Sequence, residues 1–205
     1  TTVIGNNNTT STTLRGVLSV PSGITGVAFT KDITVNSARV GIGAGNLTSN
    51  AALGSGALNA NTTGTHNVAV GSGSLLVNTN GADNTGVGFN ALTANNSGTE
   101  NSAFGSGALS SNVGGQDNTA VGFNTLTSNT SGSSNVAIGT QALQSNITGS
   151  NNTGIGYDAG RYFGSGTSLT SVTGGVFIGY NTRASANSQI NEIVIGTNAI
   201  GLGSN

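Results

Sequence analysis

The chain is predicted to be all-β, a repetitive parallel β-solenoid or β-roll with 17-residue rungs, and three observations carry the prediction. An Asn-x-Ala/Gly-apolar-Gly signature recurs seven times in unbroken register, opening at Asn50, Asn67, Asn84, Asn101, Asn118, Asn135 and Asn152. Self-similarity at a short fixed period means stacked units that bury their apolar faces on one another, so an elongated molecule is expected. Each unit is also poor in large apolar residues. At about 2–3 kcal/mol per buried side chain, against about 1–2 kcal/mol of backbone entropy per ordered residue, a lone rung does not support itself. Backbone ladders and partner chains must supply the rest. Finally, charged residues are 5% of the sequence, far below the roughly 25% of ordinary soluble domains, so Asn, Thr, Ser and Gly keep the surface wet.

Numbering each unit from its Asn, positions 2 to 4 alternate around a small Ala or Gly and include β-branched residues, which reads as a strand of three or four residues. Position 4 is large and apolar, and position 9 is Leu in all six complete copies, Leu58, Leu75, Leu92, Leu109, Leu126 and Leu143. These two positions are expected to form the core stripe. Gly recurs at position 5 and again at position 15, where φ > 0 or close backbone approach at a corner excludes a Cβ. Positions 7 to 11 fit either a second strand or one helical turn capped by a residue such as Asn90. Asn recurs at positions 1 and 12, and in rungs about 4.8 Å apart like amides hydrogen-bond in ladders. Asn61, Asn95, Asn129 and Asn146 also fit the N-glycosylation pattern. The ladder is preferred, because the repeat creates those sequons as a by-product.

Positions 6 and 7 change together, Ser72-Gly73 and Ser106-Gly107 contrasting with Phe89-Asn90, Phe123-Asn124 and Tyr157-Asp158. Phe89, Phe123 and Tyr157 fall on alternate rungs. They read as volume balancing within the packed stack rather than as a carbohydrate-stacking stripe. Outside the array, residues 1–49 form a connector in which Val3-Ile4-Gly5 and Val40-Gly41-Ile42-Gly43 look like partial rungs, with strand patterns from Thr12 to Val20 and from Gly23 to Phe29. The regular array covers 50–156. Residues 157–175 hold a six-residue expansion with Arg161, Tyr162 and Phe163, and rungs resume over 176–205.

Function classes are narrowed by what is scarce. Formal net charge is −1 and the five basic residues are scattered, which offers nucleic acid no electrostatic footprint. No apolar run is long enough for a membrane-spanning helix. Without Cys there are no disulfides or thiolate metal sites, and without Met at position 1 or elsewhere the chain is expected to be a fragment or a processed product. His66 is the only histidine, so a Ser-His-Asp or Cys-His arrangement lacks parts; no enzyme activity, metal or cofactor is expected. The Gly-x-Gly segments are repeat corners rather than phosphate loops. His66, Asp83, Glu100 and Asp117 all occupy position 17 and should form one column. That column fits a cation or receptor-contact stripe, or simply four side chains splayed into solvent, which is preferred because exposed charges individually contribute little. Tyr162 in the expansion is a further contact candidate.

The stretches Asn118-Thr119-Ala120-Val121-Gly122-Phe123-Asn124-Thr125-Leu126-Thr127-Ser128-Asn129-Thr130-Ser131-Gly132 and Asn191-Glu192-Ile193-Val194-Ile195-Gly196 resemble the head repeats of bacteriophage tail fibres. Such repeats commonly precede an endosialidase-type intramolecular chaperone, which this chain lacks, as after proteolytic release or truncation. They are also similar, less closely, to the shorter repeats of YadA-like trimeric adhesin heads, and the resemblance covers about residues 40–205. The resemblance implies a homotrimeric fibre on a virion or cell surface, joined to other virion or appendage proteins and meeting a host cell-surface receptor such as a glycan. Two other classes compete. An ice-binding solenoid suits a Thr-rich chain, but positions 13 and 14 run through Thr62-Thr63, Asn96-Ser97, Val113-Gly114 and Ile147-Thr148, with no regular Thr array. A polysaccharide-degrading fibre requires two carboxylates about 5 to 10 Å apart across a groove.

Overall fold

The computed structural model describes residues 33–35, 38–164, 166–187 and 190–203; the features read at Val3–Gly5, Thr12–Val20 and Gly23–Phe29 lie outside them. Two antiparallel strands come first, β1 (Ile33–Val35) and β2 (Ala38–Gly41). Parallel strands follow at the repeat interval: β3 (Ala51–Gly54), β4 (Val68–Val70), β5 (Thr85–Val87), β6 (Ser102–Phe104), β7 (Thr119–Val121), β8 (Val136–Ile138) and β9 (Thr153–Ile155). The expansion holds β10 (Tyr162–Phe163) and β11 (Thr167–Ser168), after which come β12 (Val176–Ile178), β13 (Arg183–Ala184) and β14 (Ile193–Ile195). One sheet runs β1-β2-β3-β4-β5-β6-β7-β8-β9-β12-β14, and a small one runs β11-β10-β13. Each repeat strand pairs with the one 17 residues on, Ala52 with Ala69 and Ala103 with Ala120, for example. The fold is therefore a parallel β-solenoid. Across the expansion Ile155 pairs with Ile178 and the register is kept.

Val40-Gly41 is not a partial rung. It pairs antiparallel with β3, Val40 opposite Leu53, and a single 3-10 turn at Ala44–Asn46 follows. The Ala44 N–H donates to the Leu58 carbonyl at 2.9 Å, and a Cβ on Gly43 would collide with the Leu58 side chain. This segment covers the first leucine of the stack, as a terminal cap must.

The interior differs from the expected stripe. Position 9 is core, with all six leucines fully buried, but position 4 is not: Leu53, Phe104, Val121, Ile138 and Ile155 are exposed. Alternate strand residues face opposite sides, and in a three-residue strand only position 3 points inward. That position is Ala52, Ala69, Gly86, Ala103, Ala120, Ala137 or Gly154, all buried. It must be small, because at Gly86 and Gly154 a Cβ would press on Ser74 and Leu143 across the rung. Positions 7 to 11 are neither strand nor helix but turns. The leucine itself has φ of 47 to 53° in every copy, a left-handed conformation that costs a branched side chain about 1–2 kcal/mol. Its N–H nevertheless bonds to the next rung, Leu75 to Ala91 and Leu92 to Ala108 at 3.0 Å.

Two amide ladders fill the rest. Both Asn67 and Asn78 donate Nδ2–H to the Gly81 carbonyl, at 2.8 and 2.9 Å, and the same convergence recurs at Gly98, Gly115, Gly132 and Gly149. Each position-1 Oδ1 also accepts the backbone N–H of the next rung's Asn, as Asn118 Oδ1 does from Asn135 at 3.1 Å. Position-12 amides chain together, Asn95 to Asn78 and Asn112 to Asn95 at 2.8 Å. Glycans are ruled out at Asn61, Asn95, Asn129 and Asn146 in the folded chain, since all four are buried. The position-15 glycine needs no unusual φ. A Cβ there would collide with the position-12 amide and with the next rung's glycine carbonyl.

Asn118→Ala leaves the buried Asn135 N–H and a ladder amide without their acceptor. At about 1–3 kcal/mol per orphaned group, it should lower the urea midpoint clearly, whereas Asn96→Ala, at an exposed turn, should stay within about 0.5 kcal/mol of the parent. Equal shifts in equilibrium unfolding would contradict the ladder's role.

Candidate functional site

With the interior occupied by Leu, Ala and Asn, chemistry directed at a partner has to come from the outward columns. Positions 2 and 4 project from the outer face of the sheet. Position 4 is apolar in all nine parallel strands, Leu53, Val70, Val87, Phe104, Val121, Ile138, Ile155, Ile178 and Ile195, and seven of these are exposed. Position 2 beside it is mixed, with Val68, Val136 and Ile193 exposed among Thr and Ser. Nine strands about 4.8 Å apart span about 38 Å, and two columns about 7 Å apart make a strip of roughly 270 Å². The position-4 column is the continuous apolar part of this strip, and a row of exposed apolar side chains of that length makes it a candidate contact surface.

The aromatics are outside as well. Phe89, Phe123, Tyr157 and Tyr180 occupy position 6, just past the Gly corner, each about half exposed, so the expected packing role within the stack is overturned. Backbone conformation explains why positions 6 and 7 vary as pairs. Position 7 is left-handed throughout, Gly73 at φ 70° and Asn90 at 55°, and Asn is the residue besides Gly that adopts it readily. The Asn90 and Asn124 amides fill the space where a Cβ on Gly73 or Gly107 of the preceding rung would sit. Gly on one rung therefore accommodates Asn on the next.

The position-17 column forms as expected from the register, and its four members stand exposed at the corner, with close approaches along it. His66 Nδ1 lies 3.2 Å from Asp83 Oδ1, both well exposed. Glu100 is hydrogen-bonded to Asp117, and this bond, the Asp117 charge, slight desolvation and the Asp83 charge together raise the Glu100 pKa above its ordinary 4.5. All four residues have φ of 57 to 58°, a corner conformation unusual for His and Glu. Tyr162 is not part of this column. It sits on β10 with the Arg161 guanidinium 4.8 Å above its ring, while Arg161 also bonds Asp158 at 2.9 Å. No group of three or more potential metal ligands occurs among the described residues.

Comparison with known proteins finds no matching family model, no matching curated sequence and no matching solved structure. The class is defined by the fold and its surfaces: a parallel β-solenoid repeat protein with amide ladders in its interior and an apolar column on its outer sheet face. Among the described residues no helix is long and apolar enough to cross a membrane.

A raised carboxyl pKa favours the folded protein below the ordinary value, and that contribution is lost as pH rises through the raised one. Glu100→Gln keeps hydrogen-bonding capacity without the second charge. It should therefore lose less stability than the parent between about pH 4 and about pH 7, read from denaturation midpoints at low salt, and parallel pH profiles would contradict the pairing.

Proposed function

We propose that this chain is a structural fibre protein, a tail-fibre or appendage shaft that assembles as a homotrimer and holds a virion on a host cell. The observation that carries the proposal is the unbroken apolar column at position 4, which the rung itself does not bury. A rung core of one Leu and two small residues leaves little hydrophobic stabilisation, and an apolar sheet face laid against copies of itself supplies more. Identical faces repeating at one pitch match without further design, as in stacked repeats generally. The number three and the virion setting come from the resemblance of the repeats to tail-fibre heads; a trimeric adhesin head on a bacterial surface would use the same face.

The competing classes have less support. Exposed position-13 residues include Val113 and Ile147, which interrupts the flat hydroxyl array that ice binding requires. For glycan hydrolysis, Glu100 and Asp117 stand on successive rungs of one exposed corner rather than across a groove with room for a substrate. The proposal is accordingly non-enzymatic.

Phe104→Asp combined with Ile138→Asp places charge on the column without touching the interior. In sedimentation equilibrium the parent should show three protomer masses and the variant one, with unchanged β circular dichroism. A parent that sediments as a stable, compact monomer overturns the assembly.

A further inference from the structure

The position-6 column lies past the Gly corner from the sheet face and does not require that face to be free. From Ser55 to Thr197 it carries no charged residue: Ser55, Ser72, Phe89, Ser106, Phe123, Thr140, Tyr157, Tyr180 and Thr197. Register fixes the intervals. Phe89 to Phe123 and Phe123 to Tyr157 are two rungs each, about 10 Å, with the hydroxyls of Ser106 and Thr140 between them. Tyr180 follows on the next rung and stacks on Tyr157, centroids 5.5 Å apart and planes 14° from parallel. Nothing in the fold demands these rings. Ser serves at the same position on other rungs, and the backbone constraint falls on position 7. The side chains flanking the rings there are the amides Asn90, Asn124 and Asn181, and Asp158 beside Tyr157, whose carboxylate is paired with Arg161 at 2.9 Å.

We infer that this stripe is a binding surface for a neutral, linear β-1,4-linked glycan running along the stack. A sugar unit in such a chain advances about one rung height, about 5 Å, and alternate units share an orientation, so the two-rung aromatic interval matches its disaccharide repeat. The apolar C–H face of alternate units seats against Phe89, Phe123 and Tyr157, as amphipathic ligands do on exposed aromatic rings. Hydroxyls of the intervening units meet Ser106, Thr140 and the flanking amides. The absence of charge along the column selects a neutral chain over an acidic one. This inference deepens the attachment reading and rests on it for its biological setting, but it uses a different column from the one proposed for assembly.

The test is calorimetric titration of the protein with cellohexaose, chitohexaose and maltohexaose, with sedimentation run on the same samples. The parent should bind one or both β-linked hexamers and not the curved α-linked one. Phe89→Ser, Phe123→Ser and Tyr157→Ser together, using a residue this column already tolerates, should abolish measurable binding with assembly unchanged. Phe123→Ser alone should weaken it about tenfold, which keeps the test usable if the triple variant folds poorly. No binding of either β-linked hexamer by the parent, equal binding of maltohexaose, or undiminished binding by the variants each overturns the stripe. Loss of the trimer in sedimentation, by contrast, bears on the assembly reading alone.

Discussion

The structure depends on one shared acceptor. In every regular rung the position-15 carbonyl takes hydrogen bonds from two buried amides, one arriving from position 1 and one from position 12, as Gly132 does from Asn118 and Asn129. A carbonyl has two lone pairs, so the arrangement is saturated and closes the coil across its interior. Much else follows from it. The acceptor must be Gly because the position-12 amide lies where a Cβ would go. Position 3 must be small because the same cross-section also holds the leucine. A buried polar interior of this kind is stabilising only when fully satisfied, and repetition satisfies it, since each Oδ1 finds its donor one rung along.

The expansion shows what happens when that condition ends. After Asn146 and Asn152 the next rung offers no ladder Asn. Leu169 stands in the register of position 12 and Gly175 in that of position 1, and Asn146 Oδ1 is left without a partner. Asn152 Nδ2 still reaches the position-15 carbonyl, here that of Val172, at 2.6 Å. The vacated interior becomes apolar: Leu169, Val172 and Phe177 are all buried. Volume is balanced between neighbouring rungs, because Gly160 replaces the position-9 leucine where the Phe177 ring enters, and a Cβ at Gly160 would collide with it. At the next position 1, Glu192 is buried and its carboxylate accepts the N–H groups of Ser185 and Gly203 at 3.0 to 3.1 Å. An acceptor is still wanted there, but no longer an amide that donates to a position-15 carbonyl.

Much of this was legible in the sequence, because the strongest constraints act on single positions that recur. The period, the three-residue strands, the Gly corners and the amide ladders all follow from Asn, Gly and Leu at fixed spacing. The outward direction of position 4 is also encoded in the sequence. If Asn118 is buried in a ladder, strand alternation places Ala120 beside it and sends Thr119 and Val121 outward; large apolar character was read as burial, although exposed apolar residues are common on folded surfaces. The left-handed turns at Leu126 and at position 7 were not legible. Leu gives no sign of φ near 50°, and the Gly-for-Asn exchange at position 7 resembles volume compensation until backbone angles are known. Pairing of Glu100 with Asp117 depends on side-chain reach at a corner, which spacing alone does not determine.

Interior and exterior are thus under different kinds of constraint. Inside, each residue is dictated by its neighbours one rung away, so Asn, Ala, Gly and Leu recur almost without variation. Outside, a rung tolerates Ser or Phe at position 6 and Val or Thr at position 2 with the same backbone. An outward position that nonetheless remains apolar through nine strands is therefore not explained by rung geometry. Water-facing Thr or Ser would fit the same strand, as Thr85, Ser102 and Thr119 demonstrate on the neighbouring column. The proposed assembly would account for it, since a copy of the same face at the same pitch is a partner that requires no new complementarity.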